Sequence, residues 1–356
     1  MKPVLPLMVL LSGLAGAEDL CLRCMKEKRI PQREVALRLM ERDGKDIFQT
    51  VGEELHYIET DHFKLVINLP GQNMKLAFDP KVRAEMQLLH VLFPSVSENT
   101  TTLSDHHIAH LIANRLKRTW SEVQELLGVT DADFAAPYIH LGQKGKYELY
   151  LFRNKKNYDV FCDRFTGRAH TFAQEWTNRE DDSLAIICYF GAETYSIRDF
   201  WNQVVHSWSH TLLQGYRHFS FKLPAWLHEG FGHTFERKEY DGFNSFCYDE
   251  GGRAQFWEGK KWKQRLKKMV ASGKVSPFPA YYQKIEVGEL LPEEHGQCWS
   301  LVSWLIETDP KKFRAFVNLI KARKTQDEAL QQVYGWSVLQ LDEAWRAYVL
   351  KTYPSN

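Results

Sequence analysis

The chain has 356 residues, with 46 basic and 45 acidic side chains, and its formal charge of +1 gives no overall field to draw it onto nucleic acid. Hydrophobic residues at 44% and charged residues at 26% are ordinary globular proportions, and 21 Gly and 13 Pro without a period exclude collagen-like chains. A chain this long can bury a large core without metals or disulfides to hold it together, so the 11 Trp read first as packing residues.

At the N-terminus, Lys2, the apolar run Val4–Leu14 and the small residues Ala15-Gly16-Ala17 predict a secretory signal peptide over residues 1–17. The run is too short to span a bilayer comfortably. A secreted, periplasmic or extracellular location follows, and six cysteines suit an oxidising compartment. Cys21 and Cys24 form a Cys-x-x-Cys. No His follows Cys24 and no second Cys-x-x-Cys exists, so neither haem attachment nor a zinc ribbon is expected. The pair reads as a local disulfide or two free thiols, and the pairing of Cys162, Cys188, Cys247 and Cys298 stays open.

Residues 18–58 are charged and helical in pattern and form a small leading segment. Next, His62–Asn68 alternates like a strand and ends at Pro70-Gly71. Residues 80–93 and 104–127 carry apolar positions at helical spacing, the second with Ser104 and Asp105 as cap candidates. Tyr147–Phe152 and Leu184–Phe190 read as strands, and from Ser196 onward the pattern is almost wholly helical. The expected fold is therefore α+β over residues 59–355, an upper sheet-and-helix half (59–195) and a lower helical half (196–355) flanking a cleft. Within the lower half, Lys260–Lys268 is strongly basic, with Trp262, Leu266 and Met269 at helical spacing on one face. It reads as a solvated helix face over a packed stripe, the alternative being contact with an anionic surface.

Two histidine pairs stand at i, i+4, where both imidazoles share a helix face and can share a metal: His106/His110 and His206/His210. The first has no acid downstream at a helix start and reads as surface or core. The second lies in an amphipathic helix and is followed by Leu223-Pro-Ala-Trp-Leu-His-Glu-Gly-Phe-Gly-His233, where Pro224 suits a helix start. The 18 residues between His210 and Glu229 allow a loop and a returning helix. That arrangement would set two imidazoles and one carboxylate around an open fourth position, the pattern of a catalytic zinc site. His233, four residues after Glu229, shares its face and is a candidate supporting or additional ligand.

With its Trp-Leu-His-Glu-Gly segment, the region resembles the gluzincin metallopeptidases, and more narrowly the peptidase-MA-like domains of secreted bacterial proteins. The likeness extends to His62-Phe63, Tyr147–Phe152, Gly296–Val302 and Tyr334–Trp345, so that roughly residues 60–350 are consistent with it. It implies a zincin fold and Zn2+ held by His206, His210 and Glu229, with a peptide or protein ligand in the cleft. One departure is large: the position of the family's catalytic Glu is Ser207. That Glu acts as general base and proton shuttle, and a serine hydroxyl is too weak a base near neutral pH. Among stand-ins, His228 is adjacent to Glu229 and is expected to look away, and Glu193 is supported only by its place upstream. His295 aligns with a residue that steadies the oxyanion in related enzymes. Three readings follow: a zinc-binding but catalytically impaired peptidase homologue, an active zinc hydrolase with a substitute base, and a metal-free peptide- or surface-binding module.

Overall fold

A computed structural model describes residues 20–27, 38–39, 42–73, 80–97, 99–167, 173–178, 182–191, 196–242, 244–245, 259 and 261–355. The expected signal peptide, Glu193, Cys247 and Lys260 lie outside the described residues. The upper half opens with β1 (Leu20–Cys21), α1 (Leu22–Glu27), the ribbon β2 (Arg38–Leu39) and β3 (Arg42–Asp43), α2 (Gly44–Val51), β4 (His56–Glu59) and β5 (Phe63–Ile67). It continues with β6 (Gln72–Asn73), α3 (Pro80–Leu92), β7 (Thr102–Leu103), α4 (Asp105–Leu127), β8 (Tyr147–Phe152), α5 (Lys155–Phe165), β9 (Ala173–Asn178) and β10 (Ser183–Tyr189). The described part of the lower half is helical: α6 (Ile197–Gly215), α7 (Ala225–Glu239), α8 (Trp262–Ala271), α9 (Pro292–Thr308), α10 (Pro310–Lys321), α11 (Gln326–Tyr334) and α12 (Val338–Thr352). The class is α+β, as the order of patterns predicts. Among the described residues, no helix is long and apolar enough to cross a membrane.

Six strands form one mixed sheet in the order β1-β4-β5-β8-β10-β9. β5, β8 and β10 run parallel, with Phe63 opposite Tyr147 and Ile186 opposite Leu149, while β9 closes one edge antiparallel to β10. Leu65, Leu149 and Ile186 point into the main core beneath the sheet, whereas Val66, Tyr150 and Ile187 point into a second core against α2 and α5. With both faces covered, the central strands need apolar residues on both sides, which is why β8 and β10 are nearly continuous hydrophobic runs.

Helix ends follow local chemistry. Ser104 caps α4 by accepting from the His107 N–H at 3.2 Å, and the Ser104 N–H donates to His107 Nδ1 at 3.3 Å, closing a capping box. Gly128 (φ 60°) ends α4 in the left-handed region that glycine adopts without strain. On the basic helix α8, Trp262 and Leu266 are buried and Met269 half-buried behind the exposed Lys263 and Lys268, so the apolar stripe packs as expected.

The leading segment is not separate. Cys21 pairs with Ile58 and Leu20 with Glu59, making residues 20–21 an edge strand of the main sheet, and β4 runs across the expected boundary between residues 58 and 59. A two-residue strand has no periodicity to reveal it, and the charge and helical spacing around it mask it in the sequence.

In the lower half, α7 packs against both α6 and α9. A Cβ at Gly230 would lie 2.5 Å from the Cys298 carbonyl oxygen and from Val302 Cγ2, so only glycine allows α7 this close to α9. Gly230→Ala is expected to destabilise the protein by about 1–3 kcal/mol through overpacking, measurable as a lower urea midpoint.

Candidate metal centre

Two helices carry the expected cluster. α6 is capped by Ser196, which accepts from the Asp199 N–H at 3.2 Å, and its interior buries His206 and His210 one turn apart. α7 starts after Pro224, whose carbonyl accepts from the Leu227 and His228 N–H groups at 3.0 Å, and brings Glu229 to the same place. Ligand atoms of His206, His210 and Glu229 all lie within 4.8 Å of one another, as a shared metal ion requires.

His206 Nε2 stands 3.3 Å from Glu229 Oε2, both fully buried. Two ligand atoms each ~2.0–2.1 Å from a tetrahedral zinc stand about 3.3–3.4 Å apart, so this edge has the length an ion between them would set. Glu229 Oε2 makes no hydrogen bond of ordinary geometry. On the other side of the ring, His206 Nδ1 is 2.8 Å from Glu236 Oε2, and Glu236 Oε1 accepts from the Ser245 N–H at 3.0 Å. A carboxylate behind an imidazole fixes its orientation, as in carboxylate–histidine–metal arrangements. Space for the ring comes from Gly232, whose Cβ would lie 2.9 Å from His206 Cε1.

Around this centre the other expected residues take definite places. His233 is fully buried, 3.4 Å from Glu236 Oε2, with its Nε2 3.1 Å from His295 Nδ1. His295 is also fully buried and lies 3.5 Å from Glu229 Oε2. It is enclosed between Glu229 and His233, in contact with both. Ser207 is 6% exposed on α6. His228 corrects the expectation that it looks away: its Nδ1 is 3.2 Å from Glu229 Oε1, and its ring lies 4.0 Å from that of His210. Adjacent helical positions diverge by about 100°, but two long side chains straddling the α6–α7 seam still reach one centre.

Two carboxylates lie beyond the expected set. Glu236 follows Glu229 by seven residues and His233 by three, a spacing that marks one helix face and was available in the sequence. Glu175 comes from the edge strand β9, where no local signal pointed to it. Its Oε2 is 3.6 Å from His210 Nδ1 and 3.9 Å from His228 Nε2, and it accepts from Thr211 Oγ1 at 2.7 Å. With side chains 29% and 14% exposed, Glu175 and His228 form the open side of an otherwise buried cluster.

The charge states suit a cation. Burial, reinforced by His228, holds His210 down to about 4, and burial with His206 nearby does the same to His233. Burial pushes the Glu229 carboxyl up, but the imidazoles of His206 and His228 beside it outweigh it and keep it well below the usual range. Glu236 is likewise lowered, the pull of His233 and His206 exceeding the cost of burial. His228 rises to about 9, because Glu175 and Glu229 overcome its desolvation. A neutral His210 facing an ionised Glu229 is the form that binds metal, whereas His228 keeps its proton near neutrality and stands outside the ligand set. Compared with models of known families, with characterised proteins and with solved structures, the chain matches none.

Proposed function

We propose that the chain is a secreted gluzincin-like zinc protein whose peptidase activity is impaired by the serine at position 207. The observation that carries this reading is the buried His206–His210–Glu229 set, with a 3.3 Å nitrogen–oxygen edge and a carboxylate behind His206. In it, His206, His210 and Glu229 hold the ion, Glu236 and His233 orient the His206 side, and His295 steadies Glu229. Zinc, when bound, supplies a Lewis acid that polarises water or a carbonyl. The Ser207 hydroxyl cannot take the proton from the attacking water near neutral pH, so efficient turnover is lost while ligand binding survives. A peptide laid along the outer edge of β9 would pass Glu175 and His228, which gives an extended chain a route to the open side.

Elemental analysis of protein purified without added metal tests the proposal. Wild type is expected to carry one more zinc per chain than His206→Ala at unchanged folding. Equal contents overturn it, and Glu229→Gln serves as the second variant if His206→Ala does not fold. Glu236→Gln is expected to weaken zinc binding at this centre by about 10–100-fold, read by chelator competition, because it loosens the hold on His206 Nδ1. A second reading, a working hydrolase with a substitute base, rests on the partly exposed Glu175 beside His210. Chelator-sensitive cleavage by the wild type that disappears in Glu175→Gln would establish it.

A further inference from the structure

A second cluster lies at the far edge of the sheet and shares no residue with the first. Ligand atoms of Cys21, Cys24, His106 and His110 all fall within 4.8 Å of one another. Neither half is a strong motif in the sequence: a lone Cys-x-x-Cys suits a disulfide or free thiols, and His106/His110 suits surface or core. The fold joins them across 82 residues, because β1 pairs with β4 and both α1 and α4 pack on β4. Of the two readings of the pair, a local disulfide or free cysteines, the structure carries the second: Cys21 and Cys24 are not bonded to each other.

Three edges of the cluster have the lengths a single ion would set. Cys21 Sγ is 3.3 Å from His106 Nε2, and Cys24 Sγ is 3.5 Å from His106 Nε2 and 3.4 Å from His110 Nε2. A sulfur ~2.3 Å and a nitrogen ~2.0–2.1 Å from one tetrahedral zinc stand about 3.5 Å apart, so three sulfur–nitrogen edges match. A two-iron cluster with both cysteines on one iron and both histidines on the other would separate sulfurs from nitrogens and does not fit these edges. The Cys24 N–H points at Cys21 Sγ at 3.5 Å, so the backbone turn itself supports the sulfur.

The surroundings hold the ligands still. Phe93 sets its ring against those of His106 and His110, each at 5.1 Å, and His56 stacks on His106 at 5.4 Å. Asp105 accepts from the His106 N–H at 2.8 Å and lies 3.1 Å from His56 Nε2. Cys21, His106 and His110 are each no more than 3% exposed. We propose that Cys21, Cys24, His106 and His110 form a closed, structural zinc site of two thiolates and two imidazoles that fastens the β1–α1 segment to α4. Four protein ligands fill the tetrahedron and leave no position for substrate, which sets this centre apart from the one on α6 and α7.

The test uses the full chain in the His206→Ala background, so that the two centres are read separately. Purified under reducing conditions, that variant is expected to retain one zinc. Exchange with Co2+ is expected to give thiolate-to-cobalt charge-transfer absorption in the near ultraviolet, a band that a His/His/Glu centre has no sulfur to produce. Adding Cys24→Ser should remove the band and the zinc together. His110→Ala, which keeps both sulfurs, should weaken the tetrahedral visible bands. If the single variants do not fold, the cobalt spectrum of the wild type decides alone. Absence of the charge-transfer band in folded protein, or a Cys21–Cys24 disulfide in metal-free folded protein by mass spectrometry, overturns the proposal. Loss of zinc at His206 leaves it standing.

Discussion

Ser207→Glu is expected to raise peptide hydrolysis by about 10²–10⁴-fold over a nearly silent wild type, the range that general acid–base catalysis supplies. Position 207 follows the first α6 imidazole directly and lies between His206 and His210 in sequence, so a carboxylate there starts from the same helix that carries both nitrogens. The rest of the proposed machinery is already in place: ionised Glu229, neutral His210, and a partly open side at Glu175. The measurement is kcat/KM on an unstructured peptide with zinc-loaded wild type and variant side by side, together with their melting temperatures and zinc contents. A folded, zinc-loaded Ser207→Glu with no gain would mean that the missing base is not what limits the protein. Brisk cleavage by the wild type would discard the impaired reading altogether, and Glu175→Gln would then be the decisive variant.

How far the sequence could lead to this centre depends on the range of each signal. Strands β8 and β10 and helix α4 were legible because their patterns are long and their ends are marked, as at Ser104. The approach of Glu229 to His206 and His210 followed from two helices and a loop of limited length. β9 was not legible: Ala173-Gln-Glu-Trp-Thr-Asn178 mixes inward and outward residues weakly, and it is held by pairing with β10 rather than by its own composition. Glu175 reaches the cluster only through that pairing. The four-residue Cys/His cluster failed for the same reason at greater range. Each half is a weak local motif, and what unites them is a two-residue strand pairing that no periodicity reports. His228 failed for a different reason, since the angular rule for helix neighbours says where Cβ atoms point and not how far an imidazole reaches at a helix seam.

The support beneath α6 and α7 predicts the largest loss of stability. Glu85 on α3 is buried and accepts from Arg115 Nε and a second Arg115 guanidinium nitrogen, both at 2.7 Å, and from Arg118 at 3.2 Å. Arg118 continues to Glu239 at the end of α7 at 2.8 Å, and Trp201 Nε1 on α6 donates to the same carboxylate at 3.3 Å. Two acids, Glu85 and Glu239, bridged by Arg118, thus join α3 and α4 to the two helices that carry the candidate ligands. Glu85→Ala leaves Arg115 buried beside the ring of Trp201 without its bidentate partner, and is expected to cost about 3–5 kcal/mol at neutral pH. Burial alone would raise the Glu85 carboxyl, but Arg115 and Arg118 outweigh it and hold it below the usual glutamate range. With the folded value depressed, the contribution is complete above the unfolded glutamate value and fades as pH falls through the folded one. Urea unfolding of wild type and Glu85→Ala should therefore differ widely near neutrality and converge in acid. A difference below about 1 kcal/mol at neutral pH, the scale of an exposed pair, would show that the network does not hold the helices together.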